Sequence, residues 1–240
     1  MTSTATDIRR VVAGNVDFLW PSRLLGNVHS DDTLDDIERG IFQFYADHRY
    51  RYRTAFDVGA CIGLHTVVLA KLGYKVTAFE PLQQHVDWMY ETLLLNEVEG
   101  IDIYWGALGS PESRQRFVRV EDNTTASHIA GAKLSYGPVR ELPVDVWSIV
   151  SFGRPDLLKL DVEGAEVAIL ESVPPEWWNR MAAIVEVHGV FNAGIMYDYA
   201  HAHGLNIFRQ ADGWALLTDR AAMPTHHRDG AILVSKREEA

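Results

Sequence analysis

Two acids at the ends of neighbouring apolar runs are the first residues in this chain with spacing fit for chemistry. In TAFDVGACIG, residues 54–63, an apolar run ends in Asp57 and turns through Gly59 and Gly63. In KVTAFEP, residues 75–81, a second run ends in Glu80. Glu80 follows the turn at about the distance, roughly 20 residues, expected of an acid that binds a ribose in a βαβ nucleotide site. Gly59, Ala60 and Gly63 fall at the carboxyl end of the first strand, where glycine lets backbone approach a ligand closely. Dinucleotide sites carry GxGxxG at this place, whereas this chain has Asp57 at the first glycine position and reads DxGxxxG. An acid there repels a pyrophosphate and suits the cationic amino group of a methionine tail, which favours S-adenosylmethionine over NAD. Glu80 is then placed to accept hydrogen bonds from both ribose hydroxyls, with Pro81 stiffening the turn behind it. His65 and Thr66 open the next helix, where free backbone amides could meet a carboxylate. Ala107, at the end of the third strand, is a candidate adenine wall. The competing reading is a glycine turn and an exposed acid in an α/β protein of any function, with Ala107 as plain strand-end packing.

A second polar centre lies in LLKLDVEGAEVAILES, residues 157–172. Strand side chains alternate between faces, so Lys159, Asp161 and Glu163 share one face. A strand buried on both sides is normally apolar, so Lys159 needs a partner such as Asp161 or Glu186. In AAIVEVH, residues 182–188, Ile184, Glu186 and His188 likewise share a face. Asp161 and His188 therefore converge on one crevice. Either is a candidate proton acceptor, His188 because imidazole titrates near neutrality, with Lys159 and Glu163 as second choices. The structural alternative is a Lys159–Glu186 ion pair between strands. Asp161, Glu163, Glu186 and His188 are chemically able to hold a metal, but no compact ligand motif demands one, and none is expected.

These residues need a scaffold of alternating short apolar runs and helices, the sign of a mostly parallel sheet covered on both faces. Seven strands are expected, near residues 55–58, 76–79, 101–105, 157–160, 183–187, 205–208 and 231–234. QRFVRV and VRELPVDV, within residues 109–148, predict a β-hairpin insertion. Residues 1–50 read as an N-terminal helical cap, with Asp31, Asp32 and Thr33 as capping candidates, ahead of a Rossmann-like domain over residues 51–240. The 240 residues are 47% hydrophobic with a net charge of −11, which disfavours a nucleic-acid partner. Cys61 is the single cysteine, and there is neither an apolar signal core nor a membrane-length run. A cytoplasmic protein acting on a small hydroxylated molecule, with no nucleic acid and no membrane span, and able to form a homodimer, is the expectation.

The combination resembles the FkbM-type S-adenosylmethionine-dependent methyltransferases. DVGACIGLHT (57–66), AFEP (78–81), Asn96, GALG (106–109), LKLDVEGAE (158–166) and VEVH (185–188) occur in family order, and DVEGAE is the most specific. The resemblance implies a class I methyltransferase Rossmann-like fold and, most often, O-methylation of a hydroxyl on a secondary metabolite, sugar or lipid-linked compound. It implies that Asp57, Gly59, Gly63 and Glu80 hold the cofactor and that Asp161 lies at the methyl-transfer centre. Cys61 stands where the family commonly has Asn, and the region before Arg51 matches no family feature. A nucleotide-dependent oxidoreductase and a non-catalytic S-adenosylmethionine-binding module are the rival readings.

Overall fold

The computed structural model describes residues 7–109 and 112–237. The chain opens with an antiparallel hairpin, β1 (Asp7–Ala13) and β2 (Val16–Ser22), turning at Gly14 and Asn15. Both turn residues have positive φ, 55° and 61°, the geometry whose twist matches paired strands. Val11, Ala13, Val16, Phe18 and Trp20 are all buried. Their period is two, not 3.6, so residues 7–22 of the expected helical cap are instead a β-hairpin. After short β3 (Leu24–Leu25) and β4 (Val28–His29), a 3-10 turn at Ser30–Thr33 takes up the residues expected to cap the helix. The cap of α1 (Asp36–His48) is Asp35, whose side chain accepts from the Glu38 amide at 3.0 Å.

The main layer contains β5 (Thr54–Val58), α2 (Leu64–Lys71), β6 (Lys75–Glu80), α3 (Gln83–Leu95) and β7 (Asp102–Trp105). An insertion follows, made of β8 (Ala107–Leu108), β9 (Ser113–Val120), β10 (His128–Ile129) and β11 (Val139–Trp147). The chain then returns through β12 (Leu157–Leu160), α4 (Glu166–Ser172), β13 (Ala182–Val185) and α5 (Val190–Ala202), and ends in β14 (Asn206–Arg209), β15 (Ala215–Leu216) and β16 (Ile232–Ser235). The sheet order is β15-β14-β16-β13-β12-β5-β6-β7. Strands from β13 to β7 run parallel, while β16 lies antiparallel between β13 and β14. The sheet is therefore eight-stranded and mixed, not seven-stranded. The additional strand is β15, two exposed residues too short to show a periodicity.

Alternate residues of the central strands enter two cores. Ala55, Val76, Leu157 and Ile184 pack with α1, α2 and the first hairpin; Phe56, Val58, Leu158, Leu160 and Val185 pack with α4 and α5. The insertion pairs β9 with β11 as the expected hairpin, within a separate four-stranded sheet. Asn96 fastens the N-terminal hairpin to α3: its amide oxygen accepts from the Leu19 amide at 2.8 Å and its nitrogen donates to the Leu19 carbonyl at 2.7 Å. The Asn27 amide donates to the Asp122 carbonyl at 2.7 Å, so the N-terminal segment and the insertion meet above the sheet edge.

Candidate active site

A cleft of about 950 Å³ opens at the carboxyl ends of β5, β6 and β12. Its floor is the turn after β5. Gly59 has φ +79°, and a Cβ there would lie 1.7 Å from the Asp161 carbonyl oxygen, so only glycine lets the two strand ends approach this closely. The amides of Gly59 and Ala60 both donate to the Phe79 carbonyl, which locks the turn onto β6. Glu80 ends β6 as a buried carboxylate that accepts from the Cys61 amide at 2.9 Å and the Leu82 amide at 2.8 Å. His85, one turn into α3, brings Nδ1 to 3.4 Å from Glu80, while its Nε2 meets the Thr124 hydroxyl at 2.9 Å. Burial opposes charge on this ring, but Cys61 and Glu80 outweigh it and push the His85 pKa up to about 10.

Of the residues singled out in the glycine loop and its surroundings, Gly59, Ala60, His65, Glu80, Pro81 and Ala107 line the cleft. Asp57, Gly63 and Thr66 do not. Asp57 is fully buried behind the turn, where the Thr66 hydroxyl donates to its Oδ2 at 2.6 Å and the Lys159 ammonium stands 3.8 Å from its Oδ1. Gly63 sits below α3, where a Cβ would approach Met89 Cγ to 2.7 Å. His65 is buried between the Tyr45 hydroxyl, 2.9 Å from Nδ1, and Glu38, 2.7 Å from Nε2.

Lys159, Asp161 and Glu163 line the other wall. Lys159 Nζ is 3.4 Å from Asp161 Oδ2, so the partner it needs inside the sheet is shared between Asp161 and Asp57 and is not Glu186. Burial favours a neutral Asp161, yet Lys159, His188 and His65 prevail and hold its carboxyl below the usual range. Glu163, at φ +58°, pairs with Lys133 of the insertion. His188 lies behind this wall with both ring nitrogens engaged: Nδ1 is 2.8 Å from Glu166, and Nε2 is 3.3 Å from Glu163 and 3.4 Å from Glu186. Burial works against its charge, but these carboxylates raise its pKa to about 11. A ring with no free lone pair facing the cleft does not accept a proton there, which corrects the expectation that His188 is a general base. Glu186 is pushed up to about 8, by burial first and the Asp161 charge second.

Several residues of this site escaped sequence reasoning. Trp20, Leu25, Thr33 and Glu38 reach the cleft from the N-terminal segment, and Phe117, Thr124, Ser127 and Ile129 reach it from the insertion. No local pattern marks them, because contacts across many tens of residues bring them in. Glu166 was legible in principle: it is a fully buried acid opening a helix whose next four residues are apolar.

Solved structures share the architecture at low identity. The T. thermophilus 16S rRNA N2 G1207 methyltransferase, in complex with AdoMet and guanosine, is similar at TM-score 0.50 and 12% identity, over 96% of this chain and 50% of that one. The ribosomal protein L11 methylase of Lactobacillus delbrueckii subsp. bulgaricus gives 0.46 and 12%, over 82% and 76%. The precorrin-6y C5,15-methyltransferase of Geobacter metallireducens gives 0.43 and 9%, over 80% and 84%. No curated protein sequence matches the chain. The expectation that excluded nucleic acid is overturned, because this fold is shared with a methyltransferase described as acting on 16S rRNA. Net charge is a property of the whole surface and excludes no local contact. Among the described residues no helix is long and apolar enough to cross a membrane. Residues 57–211, more than half of the chain, match the methyltransferase FkbM domain, and the chain therefore belongs to that family of S-adenosylmethionine-dependent methyltransferases.

Proposed function

We infer that this protein methylates a hydroxyl oxygen of its acceptor. The observation that carries the reading is Asp161, a carboxylate that lines the cleft and whose own backbone carbonyl lies against the Gly59 turn. The residues present fit the cofactor. The Gly59 turn and the backbone of Asp161 meet at the floor of the cleft and form its backbone wall. A carboxylate offers about four acceptor positions, and two amides and His85 occupy three of those on Glu80, which leaves room for a ribose hydroxyl. Glu80 and Pro81 hold the ribose, Ala107 the adenine, and Gly59, Ala60 and His65 the amino-acid end. Asp57, Gly63 and Thr66 shape the loop from behind. Bound there, S-adenosylmethionine supplies an activated methyl group.

Asp161 accepts a hydrogen bond from the acceptor hydroxyl and takes its proton as the oxygen is alkylated. A hydroxyl oxygen gaining a third bond becomes a strongly acidic oxonium, so even a weakly basic carboxylate serves. Lys159 keeps Asp161 ionised and fixes its orientation. Trp20, Leu25, Phe117 and Ile129 close the cleft from two sides, which limits water and holds the reactants near attack distance. The test is incubation with methyl-labelled S-adenosylmethionine and separate fractions of small metabolites and RNA, followed by magnetic resonance of the labelled product. A methyl ether signal is expected; a methyl ester, or label on nitrogen or carbon, overturns the assignment to a hydroxyl.

A further inference from the structure

Behind Asp161 the ends of β12 and β13 bring three carboxylates and an imidazole together. Asp161, Glu186 and His188 each offer a ligand atom, all within 4.8 Å of one another, and none of the three is fully buried. Glu163 adds an oxygen 3.3 Å from His188 Nε2. The two lysines nearby are already committed: Lys133 pairs with Glu163, and Lys159 is shared between Asp161 Oδ2 and Asp57. An independent observation comes from Glu166. It is fully buried, its Oε1 accepts from the Gly164 amide at 3.0 Å and holds His188 Nδ1 at 2.8 Å, and its buried Oε2 has no hydrogen-bond partner. A carboxylate fixed on Nδ1 directs Nε2 toward the other three acids, the arrangement that orients and strengthens a histidine ligand.

We propose that Asp161, Glu186 and His188 bind a divalent cation, with Glu163 as a fourth donor and Glu166 as the group that positions His188. Several carboxylates suit a hard ion such as manganese, which also tolerates a single imidazole. Binding replaces the Nε2 proton, which leaves to solvent. If the methyl-transfer reading above holds, the cation is bound by the same Asp161 that faces the acceptor and helps to orient it. The binding itself does not depend on that reading.

The experiment titrates Mn²⁺ into the metal-stripped full chain by calorimetry, alongside Glu186→Gln and Glu166→Gln, with S-adenosylhomocysteine affinity measured on each protein as a check on the fold. One saturable Mn²⁺ site is expected, weakened by about 10- to 100-fold in each variant, while S-adenosylhomocysteine affinity stays within a few-fold. Electron spin echo modulation of Mn²⁺ on the wild-type chain is expected to show coupling to a single imidazole nitrogen, a readout that needs no variant to fold. Absence of saturable binding up to millimolar Mn²⁺, unchanged affinity in the folded variants, or absence of nitrogen coupling each overturns the site. Failure of label transfer with Mn²⁺ binding intact refutes the methyl-transfer reading instead.

Discussion

The two acids that close the cleft, Glu80 and Asp161, sit at corresponding ends of strands on either side of β5, yet they are built in opposite ways. Glu80 is held by backbone amides from two loops and by one histidine, and its side chain is only 6% exposed. Asp161 is 29% exposed and held by a single lysine, in a neighbourhood that includes Glu163 and Glu186. Backbone donors cannot be moved by a rotamer change, so the Glu80 side is preorganised for one ligand shape. The Asp161 side is organised by charge, which suits it to a proton in transit or to a cation. The contrast assigns affinity to one wall and chemistry to the other.

The point where the walls meet gives the largest predicted effect. Gly59→Val places a Cβ into the Asp161 carbonyl and forces a branched residue to φ +79°. The backbone strain alone costs about 1–3 kcal/mol, and the clash adds to it. Chemical denaturation is expected to show a loss of at least that size, with S-adenosylhomocysteine binding abolished in calorimetry. A variant with wild-type stability and binding would mean that the two strand ends are not in contact.

The walls are separated by two substitutions that keep size and remove charge. Asp161→Asn is expected to lower turnover by about 10²- to 10⁴-fold, the range for losing a positioned proton acceptor, with S-adenosylhomocysteine affinity nearly unchanged. Glu80→Gln is expected to do the reverse. Weakening hydrogen bonds to a charged group costs about 1.5–3 kcal/mol, so cofactor affinity falls roughly ten- to a hundredfold while turnover at saturating cofactor holds. If both variants lose affinity equally, the division of labour is wrong.

The difference between the walls also explains what the sequence discloses. Glu80 and the Gly59 turn are local: a strand, a tight turn and a strand-end acid lie within some thirty residues, and their spacing is their geometry. The LKLDVEGAE run is legible for the same reason, because alternation alone puts Lys159 beside Asp161. The fates of His188 and Asp57 are not legible, since they depend on Glu166, Glu163, Lys159 and Thr66 arriving from other elements. The N-terminal hairpin carries a local signal of its own. Gly14-Asn15 between alternating apolar residues is a hairpin turn pattern, here masked by the aromatic residues that follow it. Thr124 and Ser127 reach the cleft only through the fold of the insertion, and no spacing announces them.

The smallest predicted effect concerns the histidine that backs the affinity wall. His85 faces Glu80 from β6 and Cys61 from the glycine loop, with the Thr124 hydroxyl on its other nitrogen. Its pKa is about 10 in the folded chain, against about 6.5 for an unperturbed histidine. A raised folded-state pKa means that the folded chain holds the proton more tightly than the unfolded one. The stabilisation is therefore fully present below about pH 6.5 and is lost as pH rises through about 10. His85→Gln keeps a hydrogen-bonding side chain but cannot titrate. The melting temperature of the wild-type chain is expected to exceed that of the variant most near pH 6, with the gap closing steadily toward pH 10. Because other titrating groups are common to both proteins, their contributions cancel in the difference. Parallel curves across that window would show that His85 carries no charge in the fold.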